Sequence, residues 1–270
     1  MTGKRGKNDA ADAAAICEAV TRPTMLFVPV KEEHQQIILC LHRTRQGFVE
    51  ERTASYNRLR GLIAEFGIVL PQKVTCLRRE IGAHLEALPG YANLCVGDLL
   101  AHADQLDVKI AEYDRAIAQA ARDDARSKRL MTLPGIGPVT ASAMLASIGG
   151  GHDFKNGRQV AAWIGLVPRQ HSSGGKNNLG GITKRGDTYL RSLLIQGAKS
   201  AVMTAHKRSD PISQWAAALR ERSGWQKAVV ALANKNARIL WAVMTKGDAF
   251  DARHVSVKPG APSTPAAATA

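Results

Sequence analysis

Apolar positions recur along most of the chain at intervals of three and four, the period of helices packed on one face. Residues 8–20, NDAADAAAICEAV, predict an alanine-rich helix with Asn8 as its N-cap. Pro23 and Pro29 then punctuate the chain, and FVPV reads as a short extended connector. Residues 31–67 predict one long helix whose inner positions are Leu41, Thr44, Phe48, Ser55, Leu59, Leu62 and Phe66. Arg43, Arg45, Arg52, Arg58 and Arg60 fall on its other faces. A second helical segment runs to about Leu88, where Pro89-Gly90 breaks the chain. Residues 93–129 carry Leu99, Leu106, Ile110, Tyr113 and Ile117 as an apolar stripe. That stripe suits a coiled-coil hairpin with the preceding long helix, or an ordinary globular helix pair.

Residues 127–246 predict a third region, helical and punctuated by glycine, which closes with the amphipathic helix WQKAVVALANKNARILWAVM. Within it Phe154, Val160, Trp163, Ile164 and Leu166 read as core, and Lys155 and Arg158 as outward-facing. Irregular or hairpin-like structure is expected from 168 to 183, then a helix capped by Asp187 with Leu190, Leu193 and Leu194 inward. Residues 247–270, ending KPGAPSTPAAATA, have little to bury and predict a disordered tail. The expected fold class is mainly α.

Composition narrows the partner. The chain has a formal net charge of +14, which favours a polyanion such as nucleic acid. Cys17, Cys40, Cys76 and Cys95 form no C-x-x-C pair, so a reduced compartment is expected and a zinc site is not. No apolar run approaches the ~20 residues needed to span a bilayer. The first ten residues, MTGKRGKNDA, lack the apolar core of a signal peptide, so none is expected.

The charge is concentrated. From Lys155 to Arg191 the cations are Lys155, Arg158, Arg169, Lys176, Lys184, Arg185 and Arg191, and the one acid is Asp187. Such one-sidedness points to phosphate contact. The same stretch holds RQHSSGGKNNLGGITKRGDTYLR, residues 169–191. Glycines there let a backbone approach an anion closely. Ser172 and Ser173 are either hydrogen-bond donors or, if activated, a nucleophile for phosphorus. Upstream, LPGIGPVTASAML, residues 133–145, resembles a helix-hairpin-helix. Gly135 and Gly137 would open a helix N-terminus toward a phosphate; a plain interhelical turn is the other reading. Repair glycosylases of the hairpin class share such a turn, but here only Asp153 stands near the place of their aspartate and their cysteine cluster is absent. Asp9 and Asp12 lie three apart on one helical face. They either complement the helix dipole or share a hard divalent cation such as Mg²⁺.

Taken in order, KNDAADAAAI, LMTLPGIGPVTASAMLASIG, AAWIGLVPRQHSSGGKNNLGGITKRGDTYLRSLLIQGA and ALANKNARILWAVM resemble the DEDD-type insertion-sequence transposases, relatives of the Piv invertase guided by a bridge RNA. The resemblance implies that residues 1–24 end a resolvase-like, RNase-H-like domain. It implies that 25–126 are its helical coiled-coil region and 127–246 its transposase domain. Asp9 and Asp12 match the last two acids of the family's Mg²⁺-binding set, and Ser173 matches its nucleophile. Lys184, Gly186 and Arg191 match its trailing motif. A covalent phosphoserine link to DNA, a noncoding guide RNA, assembly of two or four copies and a bacterial cytoplasmic, nucleoid-associated location are implied with it. The family's first Asp and its Glu have no counterpart in the chain, so a C-terminal portion of such an enzyme is expected. The alternative is a catalytically inactive fragment that binds nucleic acid and self-associates.

Overall fold

A computed structural model of the chain describes residues 9–23, 25, 30–171, 178–248, 250, 251 and 253. The described chain is mainly helical and divides into two units, 1–31 and 32–270. The first carries α1 (Asp9–Thr21), whose residues are all at least partly exposed. The expected cap Asn8, most of the FVPV connector and most of the expected tail lie outside the described residues. Among the described residues no helix is long and apolar enough to cross a membrane.

The second unit opens with α2 (Glu33–Ala64), α3 (Val74–Leu85) and α4 (Tyr91–Asp123). A capping box starts α2. The Glu32 side chain accepts from the backbone at Gln35, and the Gln35 side chain accepts from the Glu32 N–H at 2.9 Å. Arg45 pairs with Asp114, Arg52 with Asp107 and His102 with Glu51, so α2 and α4 run antiparallel. Near the turn, Tyr56, Leu59 and Ile63 of α2 close a small core with Leu77 and Ile81 of α3 and with Val96 of α4.

Two helical expectations need correction. Leu62 and Phe66 are 39 % and 47 % exposed, while Leu39, His42, Tyr56, Leu59 and Ile63 take the inner face of α2. Arg45 and Arg52 border that face instead of pointing away, because Asp114 and Asp107 on α4 satisfy them, each at 2.5 Å. The single helix expected over 93–129 is also broken. Asp124 takes an extended backbone and caps α5 (Ala125–Leu130), accepting from the Arg126 N–H at 2.7 Å.

After α5 come α6 (Pro138–Ile148), α7 (Gly157–Trp163), β1 (Pro168–Gln170), β2 (Leu179–Ile182), α8 (Thr188–Thr204), α9 (Pro211–Ser223) and α10 (Trp225–Lys246). Helix α10 is the hub and packs against α7, α8 and α9. Ala228, Ala233 and Ala237 let it approach closely, with Val160, Ile164, Leu190 and Leu194 in the same core. Strands β1 and β2 pair antiparallel, Pro168 opposite Ile182 and Gln170 opposite Leu179, with a register shift between.

A polar joint ties the α2–α4 hairpin to this core. His42 is 1 % exposed, its Nε2 lies 2.9 Å from Ser142 Oγ on α6 and its Nδ1 2.9 Å from Tyr189 Oη on α8. The one Ser142 hydroxyl proton goes to the Pro138 carbonyl at 2.8 Å. Ser142 therefore accepts from His42 Nε2–H, and Tyr189 O–H donates to Nδ1, which fixes a neutral tautomer. Burial, helped by the nearby Arg45 charge, lowers the His42 pKa to about 4.

Candidate nucleic-acid interface

The strands that flank Ser172 and Ser173 in sequence spring from a crossing of two backbones. The chain leaving α7 passes Gly165 at φ 79°, and the chain leaving β2 passes Lys184 at φ 57° and Gly186 at φ 81°. Lys184 N–H donates to the Gly165 carbonyl at 3.1 Å and Thr183 N–H to that of Val167 at 2.8 Å. A Cβ on Gly186 would collide with the Trp163 carbonyl oxygen, and one on Gly165 with that of Arg185. Only glycine permits this approach.

Arg191, from the first turns of α8, locks the crossing. It is 7 % exposed, and its Nη1 donates to the carbonyls of Ile164 at 2.8 Å and Arg185 at 3.2 Å. Its Nη2 donates to Thr188 Oγ1 at 2.9 Å. Asp187 caps the helix as the sequence predicts, accepting from Leu190 N–H at 2.9 Å.

From the crossing, β1 and β2 run out as a two-stranded ribbon. His171 N–H donates to the Asn178 carbonyl at 2.9 Å and closes the base of the segment 172–177. Ser172, Ser173 and Lys176 belong to that segment and lie outside the described residues.

The ribbon forms one wall of a groove of 1950 Å³, whose other walls come from α7, α8, α9 and α10. Eight lysines and arginines line it against two aspartates, Asp248 and Asp251. Arg158, Arg169 and Lys184 are among those eight. Lys155 and Arg185 are exposed but are not part of the lining. Gly135, at φ 83°, packs its backbone on that of Gly197 in α8, and Gly137 caps α6 with open space around it. Asp153, the residue a repair enzyme would need, is exposed and also outside the lining.

Sequence reasoning missed Lys199 on α8 and Lys227, Lys235, Arg238 and Lys246 on α10. A signal was present: at 100° per residue the four α10 cations fall within an arc of about 100°. Lys235 Nζ sits 4.5 Å above the Trp215 ring. Burial, with Arg238 beside it, holds its ammonium below the usual lysine range.

Asp9 and Asp12 stand exposed in the first turn of α1. Their oxygens suit a hard cation, which takes about six oxygen ligands. Among the described residues no cluster of three or more His, Cys, Asp or Glu side chains is placed to hold one.

The sequence profile of the transposase IS116/IS110/IS902 family matches residues 127–213. A Pseudomonas aeruginosa protein named "Probable family 20 transposase" is 45 % identical over 248 residues, covering 90 % of this chain and 73 % of that protein. The Yersinia enterocolitica transposase for insertion sequence element IS1328 is 40 % identical over 248 residues, covering 92 % of this chain and 74 % of that protein. The chain belongs to the IS116/IS110/IS902 transposase family. At greater distance, the pilin gene-inverting protein of Moraxella bovis is 30 % identical over 130 residues, 47 % of this chain and 39 % of that protein. In this family member the profile begins in α5 and ends early in α9. It therefore holds the glycine crossing and the ribbon, while α10 adds half of the groove cations from beyond it.

Proposed function

We propose that the chain acts in DNA transposition by cutting and rejoining strands through Ser173, with the basic groove holding the DNA. One observation carries the reading. The two strands that lead into and out of segment 172–177 are themselves a wall of the groove. Two residues of extended chain reach at most about 7 Å, so Ser173 is tethered to His171 at the end of that wall.

In the step, a bond forms between Ser173 Oγ and phosphorus, and the phosphodiester bond to the leaving strand breaks. The serine proton is lost and the leaving oxygen gains one; the reverse attack by a strand-end hydroxyl restores the diester and frees the serine. Lysines and arginines of the groove offset the charge that builds on the phosphoryl oxygens. Arg191 acts through the loop's base, because it is buried and three of its N–H groups go to the Ile164 and Arg185 carbonyls and to Thr188 Oγ1.

Under the same reading Asp9 and Asp12 contribute oxygens to Mg²⁺, which would stabilise the charge of the transferring phosphoryl group. Two carboxylates do not complete such a site, and no step above depends on it. The guide RNA and an assembly of two or four copies also belong to the proposal, on the strength of the family resemblance. A helix-hairpin-helix at Gly135 and Gly137 adds a phosphate contact at the exposed start of α6.

A second reading, binding and self-association without cleavage, rests on the basic groove alone. A cleavage assay on DNA carrying the element's ends separates the two. The proposal expects cleaved and joined products, their loss in Ser173→Ala, and binding by that variant within about twofold of the parent. Products formed by Ser173→Ala overturn it, and binding without products from the parent chain supports the second reading. Sedimentation showing a monomer at every concentration removes the assembly from the proposal.

A further inference from the structure

The groove is basic at its rim and apolar along its floor. Ile195 from α8, Ile212 and Trp215 from α9 and Ile239 from α10 line it, and Leu179 on β2 is 60 % exposed at the ribbon's wall. Its 1950 Å³ exceeds the ~300–1,000 Å³ of ordinary small-molecule pockets, so it suits a polymer. The excess of eight cations over two aspartates selects a polyanion.

The floor decides which form of polyanion. Paired DNA keeps its base faces stacked inside the duplex and offers phosphates and polar base edges. An apolar floor gains nothing from either. An unpaired strand offers base faces that stack on aromatic and aliphatic side chains while cations follow its phosphates.

Building on the proposed function, we infer that the groove takes an unpaired DNA strand, bases on the apolar floor and phosphates on the cationic rim, beside the ribbon that carries Ser173. Lys235 over Trp215 marks where rim and floor meet. A phosphate arriving there restores the favourable surroundings that burial denies the ammonium. The groove then stabilises DNA whose strands have separated, and cleavage at the ribbon is coupled to local opening of the duplex.

Fluorescence anisotropy with the full chain tests this, using a labelled twelve-nucleotide DNA strand without self-complementarity, its blunt duplex and the RNA strand of the same sequence. The unpaired DNA is expected to bind at least about tenfold more tightly than the duplex. Trp215→Ala is expected to weaken strand binding at least about fivefold and duplex binding little, while Trp215→Phe keeps most of the affinity. Trp215 packs partly on the core, so Leu179→Ala is the second variant. Its exposed side chain leaves folding intact, and a loss of about twofold confined to the strand is expected. Equal affinity for strand and duplex, tighter binding of RNA, or equal losses on both DNA forms overturns the inference. If strand and duplex bind equally and both weaken on Lys199→Glu plus Arg238→Glu, only this inference fails. Binding indifferent to that double reversal removes the groove from the proposed function as well.

Discussion

Arg191 Nη1 lies 2.8 Å from the carbonyl oxygen of Ile164, a bond that spans from α8 to the chain leaving α7. An arginine expected from its sequence neighbours to be a phosphate ligand thus ties α8 to the chain at the root of the β1–β2 ribbon. Arg191→Ala leaves two carbonyls without this donor and is expected to cost about 2–4 kcal/mol in denaturant unfolding. Arg191→Lys is expected to recover only part of that, since an ammonium cannot reproduce the guanidinium fork. If Arg191 were a phosphate contact, its loss would spare stability and lower the salt dependence of DNA binding by about one unit.

The groove cations are expected to behave in the opposite way. Lys199→Glu with Arg238→Glu should leave the unfolding midpoint nearly unchanged, because α8 and α10 turn these residues into the groove. DNA affinity should fall at least about tenfold, with a slope against log salt shallower by about two. Lys155→Glu, exposed but outside the lining, should have a smaller effect in the same titration.

Much of this was legible in the sequence. Period-three-and-four spacing gave the long helices, and the shift to glycine and polar residues after Pro168 gave the ribbon. Asp187 as a cap followed from its place before an amphipathic run. The groove was only half legible, since it forms where β1, β2, α8 and α10 converge from positions far apart in the chain. Arg158, Arg169 and Lys184 stood out through local charge density, whereas the α10 cations are diluted by alanine and valine. Arg191 and Arg45 show the other limit: a charge reads as a surface residue until a carbonyl or carboxylate is brought to it.

Glycine separates packing from binding. Gly186 combines φ 81° with contact against the Trp163 carbonyl, so Gly186→Ala is expected to destabilise by about 3 kcal/mol or more. A Cβ on Gly137 would meet only open space, and its φ of −101° suits any residue, so Gly137→Ala should cost about 1 kcal/mol or less. Thermal unfolding of the two variants side by side measures the contrast. A DNA-binding loss in Gly137→Ala without loss of stability would mark the start of α6 as a phosphate site.

His42 makes stability depend on acid. Above the ordinary histidine pKa of about 6.5 it is neutral in both states and its contribution is complete. As pH falls toward about 4, the unfolded chain takes up the proton and the folded chain does not. Stability should therefore decline across that window by about 3 kcal/mol in total, and the decline should stop below the folded pKa. Urea midpoints between pH 7 and pH 4 read this out, and His42→Gln should flatten the part due to this group.

The central claim is that Ser173 becomes bonded to DNA. Mass spectrometry of peptides from a trapped reaction, in which the DNA substrate is nicked so that the released fragment diffuses away, tests it most directly. The account predicts a nucleotide-bearing phosphoester on Ser173 and no adduct from Ser173→Ala. An adduct on Ser172 or on any other residue, or an undiminished adduct in the Ser173→Ala chain, would contradict it.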